Sequence, residues 1–300
     1  MKTVTCTLPG GYVDGNGTLH SEAELRQLNG YEEELLASRE GRETCSLVTD
    51  VLSGCLKRIG QVSPVPPSLV QRLLVADRQY LLLKLREATF GPDIRGTLLC
   101  PWPGCGRKVD IDFTISDIPV TLSRDKGPLY TMQLSKQAAL SDGNQNAITA
   151  VTFRLPNGAD QEAVLPLFRG NPARAFSLLL ELCVHSLGEH VNPGPELLSR
   201  LSPVARQEIE REMERVAPSV NLDMQVECAE CSRIFTAPFD IQDYFFGEIR
   251  TDADMLYREV HYLAYLYHWS EQEIMGMTQD RRRRYIEVLV DEIEKMNNAV

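Results

Sequence analysis

The sequence predicts an α+β fold with an N-terminal β-hairpin arm and helices, a split cysteine ribbon that encloses an α/β insertion, and a C-terminal helical appendage. Three observations predict it: two tight cysteine pairs far apart in the chain, an internal repeat behind each pair, and hydrophobic patterns that change between the strand period and the helix period. The pairs are Cys100/Cys105 in CPWPGC and Cys228/Cys231 in CAEC. Together they supply the four thiolates of a closed tetrahedral zinc site.

The repeat follows the second cysteine of each pair. Counting eight, ten and twelve residues onward gives Phe, Ile and Asp both times, at Phe113, Ile115, Asp117 and at Phe239, Ile241, Asp243. Each pair is therefore predicted to lie on a turn that is followed by the same strand-like F-x-I-x-D phrase. Two copies of one knuckle-and-strand unit predict a single structural zinc ion, with no coordination position left for water or substrate.

Composition and charge limit the function classes. The chain has 300 residues and a net charge of -11, which argues against nucleic acid as the main partner because such proteins need a basic surface. No apolar run is long enough to cross a bilayer and no signal pattern opens the chain, so we expect a soluble protein without a membrane partner, cytoplasmic where it is made. The cysteines outside the pairs are expected in the core: Cys6, Cys45, Cys55 and Cys183.

Residues 1–30 are predicted to form the arm. Thr3–Leu8 favours a strand, the tetrapeptide DGNG is a strong turn, and Thr18–Leu28 sets apolar residues among polar ones, which predicts a hairpin. Ser21 and Glu24 also fit a helix capping box, so that a helix in the second half of the arm stays open.

Helical patterns occupy both flanks of the cysteine ribbon. Residues 31–92 are predicted to be a helical domain, closed by the helix stop Gly91-Pro92, with helices at Glu32–Ala37, Cys45–Ile59 and Ser68–Phe90. Residues 249–300 are predicted to be an appendage of three short helices, the second of which begins at a Ser270–Glu273 capping box. The apolar stripes of its first and third helices consist of Leu256, Val260, Leu263, Ala264 and Tyr267, and of Ile286, Leu289, Val290 and Ile293.

Residues 93–248 are predicted to form the split zinc ribbon, interrupted by an insertion at about 119–220. Turns rich in Gly, Asn, Asp and Pro separate strand-like stretches at Thr97–Cys100, Val109–Ile115, Val120–Ser123, Tyr130–Leu134, Ala150–Leu155, Asn221–Cys228 and Arg233–Phe239. Two helical segments lie inside the insertion, Pro172–Ser186 and Pro195–Val216. The cysteine pairs thus lie on strand-connecting turns, where zinc knuckles belong.

The appendage is predicted to contact a protein partner. Tyr and Trp side chains are dense there, and both types are enriched at protein interfaces. A run of four arginines follows, suited to an acidic protein surface or a phosphate. The residues assigned to this surface are Tyr262, Tyr265, Trp269, Arg281, Arg282, Arg283 and Arg284.

Catalytic motifs are missing from the sequence. The chain lacks G-x-S-x-G, the phosphate-binding G-x-x-x-x-G-K-[ST] and H-E-x-x-H, so we expect no enzymatic activity. Two other function classes stay open. Zinc ribbons often serve as nucleic-acid or transcription adaptors, although the charge opposes this. A redox-active pair of Cys228 and Cys231 would make a thiol oxidoreductase, although Glu227 and Glu230 are poor neighbours for a reactive thiolate.

Long stretches of the chain resemble a known family. They are TLPGGYVDGNGTLHSEAELRQLNGYEEELLA, VADRQYLLLKLREATFG, CPWPGCGRKVDIDF and, after the second cysteine pair, FDIQDYFF. They look like the baseplate hub assembly chaperone family of T-even-type phages and related contractile injection systems, over residues 3 to about 245. The stretch LYREVHYLAYLYHWSEQEIMGMTQDRRRRYIEVL is similar to small helical proteins or domains encoded in extracellular contractile injection loci.

The resemblance implies a non-enzymatic role at the baseplate hub, through contacts with hub, spike, tube-initiator or tape-measure proteins. It implies that the four paired cysteines are the metal ligands, and it transfers no catalytic residue. Asp77, Arg78 and Arg86 match polar positions of the family's helix, which implies structural ion-pair or contact roles. The resemblance leaves open whether the protein is a transient chaperone or is retained in the phage tail or injection-system baseplate.

Overall fold

The computed structural model describes residues 3–124, 127–141, 147–249 and 253–298, which form a mixed α+β protein. The strands are β1 (Thr3–Val13), β2 (Leu19–Arg26), β3 (Leu56–Ile59), β4 (Asp93–Leu99), β5 (Lys108–Thr114), β6 (Val120–Thr121), β7 (Tyr130–Gln133), β8 (Leu140–Ser141), β9 (Ala147–Ile148), β10 (Ala150–Phe153), β11 (Val184–Leu187), β12 (His190–Val191), β13 (Ser219–Val220), β14 (Asp223–Glu227) and β15 (Ile234–Pro238). The helices are α1 (Gly30–Ala37), α2 (Thr44–Cys55), α3 (Pro67–Arg72), α4 (Val75–Phe90), α5 (Gly158–Phe168), α6 (Pro172–Cys183), α7 (Pro195–Ser199), α8 (Pro203–Val216), α9 (Ile241–Glu248), α10 (Ala253–Tyr267), α11 (Glu271–Met275) and α12 (Gln279–Asn298).

Three hydrophobic clusters organise these elements. The main cluster is built largely from β1–β3, α1–α4 and α9, the second lies in the insertion, and the third lies between the two cysteine hairpins. The insertion contains a four-stranded sheet in the order β12-β11-β10-β7. The four cysteines outside the pairs are buried, as expected for small core residues: Cys6, Cys45, Cys55 and Cys183.

The predicted N-terminal hairpin is confirmed, and it is part of the main core. β1 and β2 pair in antiparallel fashion, so the alternative helix at Ser21 does not form. β2 also pairs with β3, which lies in a segment that the sequence assigned to a helix. The helix predicted over Cys45–Ile59 ends at Cys55, because Leu56 and Ile59 are buried in the sheet against β2.

The helix predicted over Ser68–Phe90 is broken in the structure. α3 and α4 are separated by Leu73 and Leu74, whose backbones are extended. The amide of Gly158 donates to the carbonyl of Leu73 at 3.1 Å, and Leu74 forms a β-bridge with Asn157. Backbone contacts with the insertion therefore stabilise the break, and hydrophobic periodicity along one segment cannot reveal such contacts.

The helical content of the insertion also differs from the prediction. The helix predicted over Pro172–Ser186 ends at Cys183, because the residues that follow form β11 and pair with β10. The segment Pro195–Val216 is two helices, and the second begins at Pro203 with Ser202 as its N-cap. Periodicity does not predict α5, since its buried residues do not form a continuous apolar stripe.

In the described part of the C-terminal appendage there are three helices, of which α12 with 20 residues is longer than predicted, and Ser270 and Glu273 form the predicted capping box of α11. The appendage packs closely on the start of α1. A Cβ atom added to Gly30 would lie 3.0 Å from the backbone Cα and carbonyl oxygen of Met275, so this close contact favours glycine. Within the described ranges, no helix is both long and apolar enough to span a membrane.

Candidate metal centre

Two hairpins bring the four paired cysteines together. β4 pairs with β5, and β14 pairs with β15, in both cases antiparallel over the full length of the strands. Each cysteine pair lies in the loop at the tip of its hairpin, with Cys100 directly after β4 and Cys228 directly after β14. The insertion separates the hairpins in sequence, whereas the fold places their tips against each other. The predicted split ribbon is therefore formed.

The sulfur atoms of the two loops lie at metal-ligand spacing. Cys100 Sγ is 3.8 Å from Cys231 Sγ, and Cys105 Sγ is 3.7 Å from Cys228 Sγ. All four lie within 4.8 Å of one another. Four bonds of about 2.3 Å to a tetrahedral zinc ion place the sulfurs about 3.8 Å apart, whereas a disulfide requires about 2.05 Å. The arrangement can hold one metal ion between the hairpins.

The two loops differ in length but share two backbone features. The amide of the first cysteine in each pair donates to a carbonyl on the returning side of the loop, at 2.8 Å in one loop and 3.1 Å in the other. The residue directly after the second cysteine has a positive φ in both loops, 59° at Gly106 and 53° at Ser232. A left-handed residue at this point allows the chain to reverse from the knuckle into the next strand.

The thiols of the centre differ in their electrostatic surroundings. Burial raises the pKa of the Cys100 thiol to about 12. The backbone N–H groups of Cys231 and Glu230 lower the pKa of the Cys228 thiol to about 7, because hydrogen bonds to sulfur favour the thiolate. The acidic side chain of Glu230 is a poor neighbour for a thiolate, but its backbone N–H stabilises one.

A small apolar core and one aromatic contact surround the sulfurs. Val109, Val226 and Phe235 are among the buried residues that pack with the cysteines. The guanidinium of Arg233 lies 5.5 Å from the ring centre of Trp102, so the two loops also contact each other through a cation–π pair. A core this small supplies little burial energy, and a bound metal would contribute much of the stability of the ribbon.

The repeated F-x-I-x-D phrase has two structural parts. Phe113 and Phe239 meet edge to face with ring centres 5.4 Å apart, so the two copies pack on each other. The later positions do not continue a strand, which corrects the prediction. β5 ends at Thr114, and Ile115–Asp117 forms a short 3₁₀ helix, while Ile241 begins α9. The phrase marks the point at which each hairpin passes into a helix.

The seven residues assigned to a partner surface differ in their exposure to solvent. Six are at least partly exposed: Tyr262, Tyr265, Trp269, Arg281, Arg283 and Arg284. The assignment of Arg282 is wrong, because this residue is 0 % exposed. Its guanidinium donates to Glu33 at 2.6 Å, to Glu259 at 2.9 Å and to the carbonyl of Met277 at 2.8 Å. Arg282 therefore stabilises the position of the appendage.

Glu33 and Glu259 form the ion pairs with Arg282, and neither residue was predicted from the sequence to do so. One signal points to a buried partner for them. Arg282 precedes Ile286 by four residues and so lies on the apolar side of α12, unlike its neighbour Arg283. A cation on an apolar helix face predicts a buried anion, but sequence alone does not show which carboxylates supply it.

The three polar residues of α4 that the resemblance names make contacts within the fold. Arg86 makes a two-bond ion pair with Glu248, at 2.9 and 2.7 Å. Arg78 has no such pair among the described residues; it donates to the Thr49 hydroxyl and the Cys45 carbonyl of α2. Asp77 accepts a hydrogen bond from the amide of Gly10 at 2.7 Å, which ties α4 to β1. All three are buried.

Comparison with known proteins gives one result. The family model described as T4 bacteriophage base plate protein matches residues 1–246, a range that contains both cysteine hairpins and excludes α10, α11 and α12. No match was found among curated proteins or among solved structures. Because the family model covers most of the chain and includes the candidate metal centre, the chain belongs to the T4 bacteriophage base plate protein family.

Proposed function

We propose that this protein is a non-enzymatic component or assembly chaperone of the baseplate hub of a contractile phage tail or contractile injection system. The observation that carries the proposal is the family match over residues 1–246. The expected partners are hub, spike, tube-initiator or tape-measure proteins, and the expected location is the cytoplasm during assembly, with or without retention in the finished baseplate. Contacts through the exposed aromatic residues and arginines of the appendage suit this role.

The proposal assigns one structural zinc ion to the four cysteines. Zinc prefers four thiolates in a tetrahedral arrangement, and the distances of 3.7 and 3.8 Å between sulfurs of the two hairpins fit that geometry. Cys100, Cys105, Cys228 and Cys231 would fill every coordination position of the ion. Such a site holds the two hairpins together and offers no position for a substrate.

The two rival functions receive less support. The paired hairpins, residues 93–114 and 223–238, carry four basic and six acidic side chains, a poor surface for nucleic acid. A thiol oxidoreductase needs an accessible nucleophilic sulfur, whereas Cys228 is 0 % exposed and its sulfur lies 3.7 Å from that of Cys105 in the other hairpin. Low-pKa sulfur is also what a metal ligand requires.

Quantitative mass spectrometry of purified particles and of the lysate tests the proposal. A fixed ratio to hub proteins in finished particles identifies a permanent component. Presence in lysate complexes with hub proteins, together with absence from particles, identifies a chaperone. Absence from both kinds of complex would refute the proposed function. Metal analysis of the purified chain tests the zinc assignment separately.

A further inference from the structure

The last helix leaves an apolar stripe uncovered. Ile286, Leu289, Ile293 and Met296 follow one another at steps of three, four and three residues, which places them on one side of α12. The first two are half-buried, whereas Ile293 is 43 % exposed and Met296 is 69 % exposed. Every residue in 291–298 is exposed. The helix therefore begins against the body of the protein and ends in solvent.

The stripe continues the side of α12 that is buried at its start. Arg282, four residues before Ile286, is on this side and is inserted between Glu33 and Glu259. Farther along, the same side has no covering element in the described parts of the chain. A short helical segment without tertiary packing is marginally stable in water, and exposed apolar surface commonly marks an interaction site. The distal stripe is suited to a second helix.

The charges beside the stripe favour one kind of occupant. Residues 287–298 contain four acidic side chains and one basic side chain, namely Glu287, Asp291, Glu292, Glu294 and Lys295. Pairing of two copies through the stripe would place this acidic segment against itself, which is unfavourable. A helix with basic residues beside its own apolar stripe would instead be attracted. The charge pattern therefore favours a basic partner over a second copy.

We propose that the distal stripe of α12, formed by Leu289, Ile293 and Met296, binds an amphipathic helix with basic flanks from another protein of the same assembly. The inference rests on the proposed function for its setting. It names a site outside the family-matched residues 1–246. The site also differs from the partner surface predicted from the sequence, whose arginines lie at the start of α12, because the distal stripe lies at the end of that helix.

A synthetic helix can serve as the probe. We would use a labelled peptide of about three heptads with Leu and Ile at the a and d positions and Lys at the e and g positions, and a second peptide with Glu in place of Lys. Fluorescence anisotropy with the full chain should show binding of the Lys peptide and at least about tenfold weaker binding of the Glu peptide. Equal binding of both peptides would overturn the charge argument.

A matched pair of variants isolates the stripe. Ile293→Asp changes an exposed residue of the stripe. Val288→Asp changes an exposed apolar residue of the same helix that points about 120° away from the stripe around the helix axis. Both add one negative charge, so they strengthen a purely electrostatic attraction equally. We expect Ile293→Asp to weaken binding at least about tenfold and Val288→Asp to change it by less than about twofold. Equal effects of the two variants would overturn the proposed site.

Sedimentation equilibrium of the unmodified chain tests whether a second copy of the chain, and not another protein, binds the stripe. We expect a monomer, and a dimer that Ile293→Asp dissociates would show that a second copy occupies the stripe and would overturn the proposal. Circular dichroism controls for folding of both variants. A failure of peptide binding leaves the particle measurements under the proposed function unaffected, so the two proposals can fail separately.

Discussion

Arg282 and Glu33 form a buried ion pair between the appendage and the first helix, with Arg282 Nη2 2.6 Å from Glu33 Oε2. Glu33 belongs to the family-matched residues and Arg282 lies beyond them. Burial raises the pKa of Glu33, which shows how costly its charge would be without a cation nearby. The appendage thus supplies a cation that compensates a buried carboxylate of the body.

Replacement of Arg282 should destabilise the protein strongly. Arg282→Met leaves Glu33 buried without its ion-pair partner, and breaking a buried pair in this way costs about 3–5 kcal/mol. Arg283→Met is the matched control, because Arg283 is half exposed and lies 3.4 Å from Glu259. We expect a loss below about 1 kcal/mol for the control. Urea unfolding of both variants measures the difference, and similar losses would contradict the assigned role of Arg282.

Removal of one cysteine ligand should abolish metal binding. We expect Cys228→Ser to reduce zinc from one ion per chain to nearly none and to reduce solubility, because three ligands cannot close the site. Cys45→Ala, which alters a buried cysteine remote from the centre, should keep its zinc. Elemental analysis of both purified variants checks this. Full zinc content and normal folding of Cys228→Ser would rule out the structural zinc site.

The glycine after the first cysteine knuckle should be difficult to replace. Gly106 has a φ of 59°, and a non-glycine residue in this conformation costs about 1–2 kcal/mol. No described atom lies near its Cβ position, so the cost of Gly106→Ala should come from the backbone alone. Gly15→Ala, in an equally open turn without a positive φ, should be nearly neutral. Thermal unfolding of the zinc-loaded variants measures both, and equal melting temperatures would contradict the prediction.

Asp77 should make stability depend on pH. Burial raises its pKa to about 6, from about 3.9 in an unfolded chain. Between these values the folded protein keeps a proton that the unfolded chain releases. The free energy of unfolding should therefore fall by up to about 3 kcal/mol as the pH rises from about 4 to above 6.

Asp77→Asn is the test of this pH dependence, because asparagine does not titrate and retains an oxygen for the Gly10 amide. Urea unfolding at several pH values between 4 and 7 should show a smaller decline for the variant than for the unmodified chain. Parallel curves for the two proteins would mean that Asp77 does not titrate in this range.

Much of the candidate centre is predictable from local sequence. The spacing of Cys100/Cys105 and Cys228/Cys231 identifies four candidate metal ligands, and the repeated phenylalanine marks equivalent hairpins. The predictions that failed involve contacts between distant segments. Leu56 to Ile59 continues a helical pattern, but it pairs with β2, and the break at Leu73 depends on an amide of the insertion.

The sequence alone was enough to predict the α+β class, the four candidate metal ligands, the N-terminal hairpin and the helical appendage, because turn residues, cysteine spacing and hydrophobic period are local signals. The tertiary fold determines where helices give way to strands and why Arg282 is buried while Arg283 is exposed. These outcomes depend on hydrogen bonds and ion pairs between residues far apart in the chain, and a local sequence pattern contains no information on such pairings.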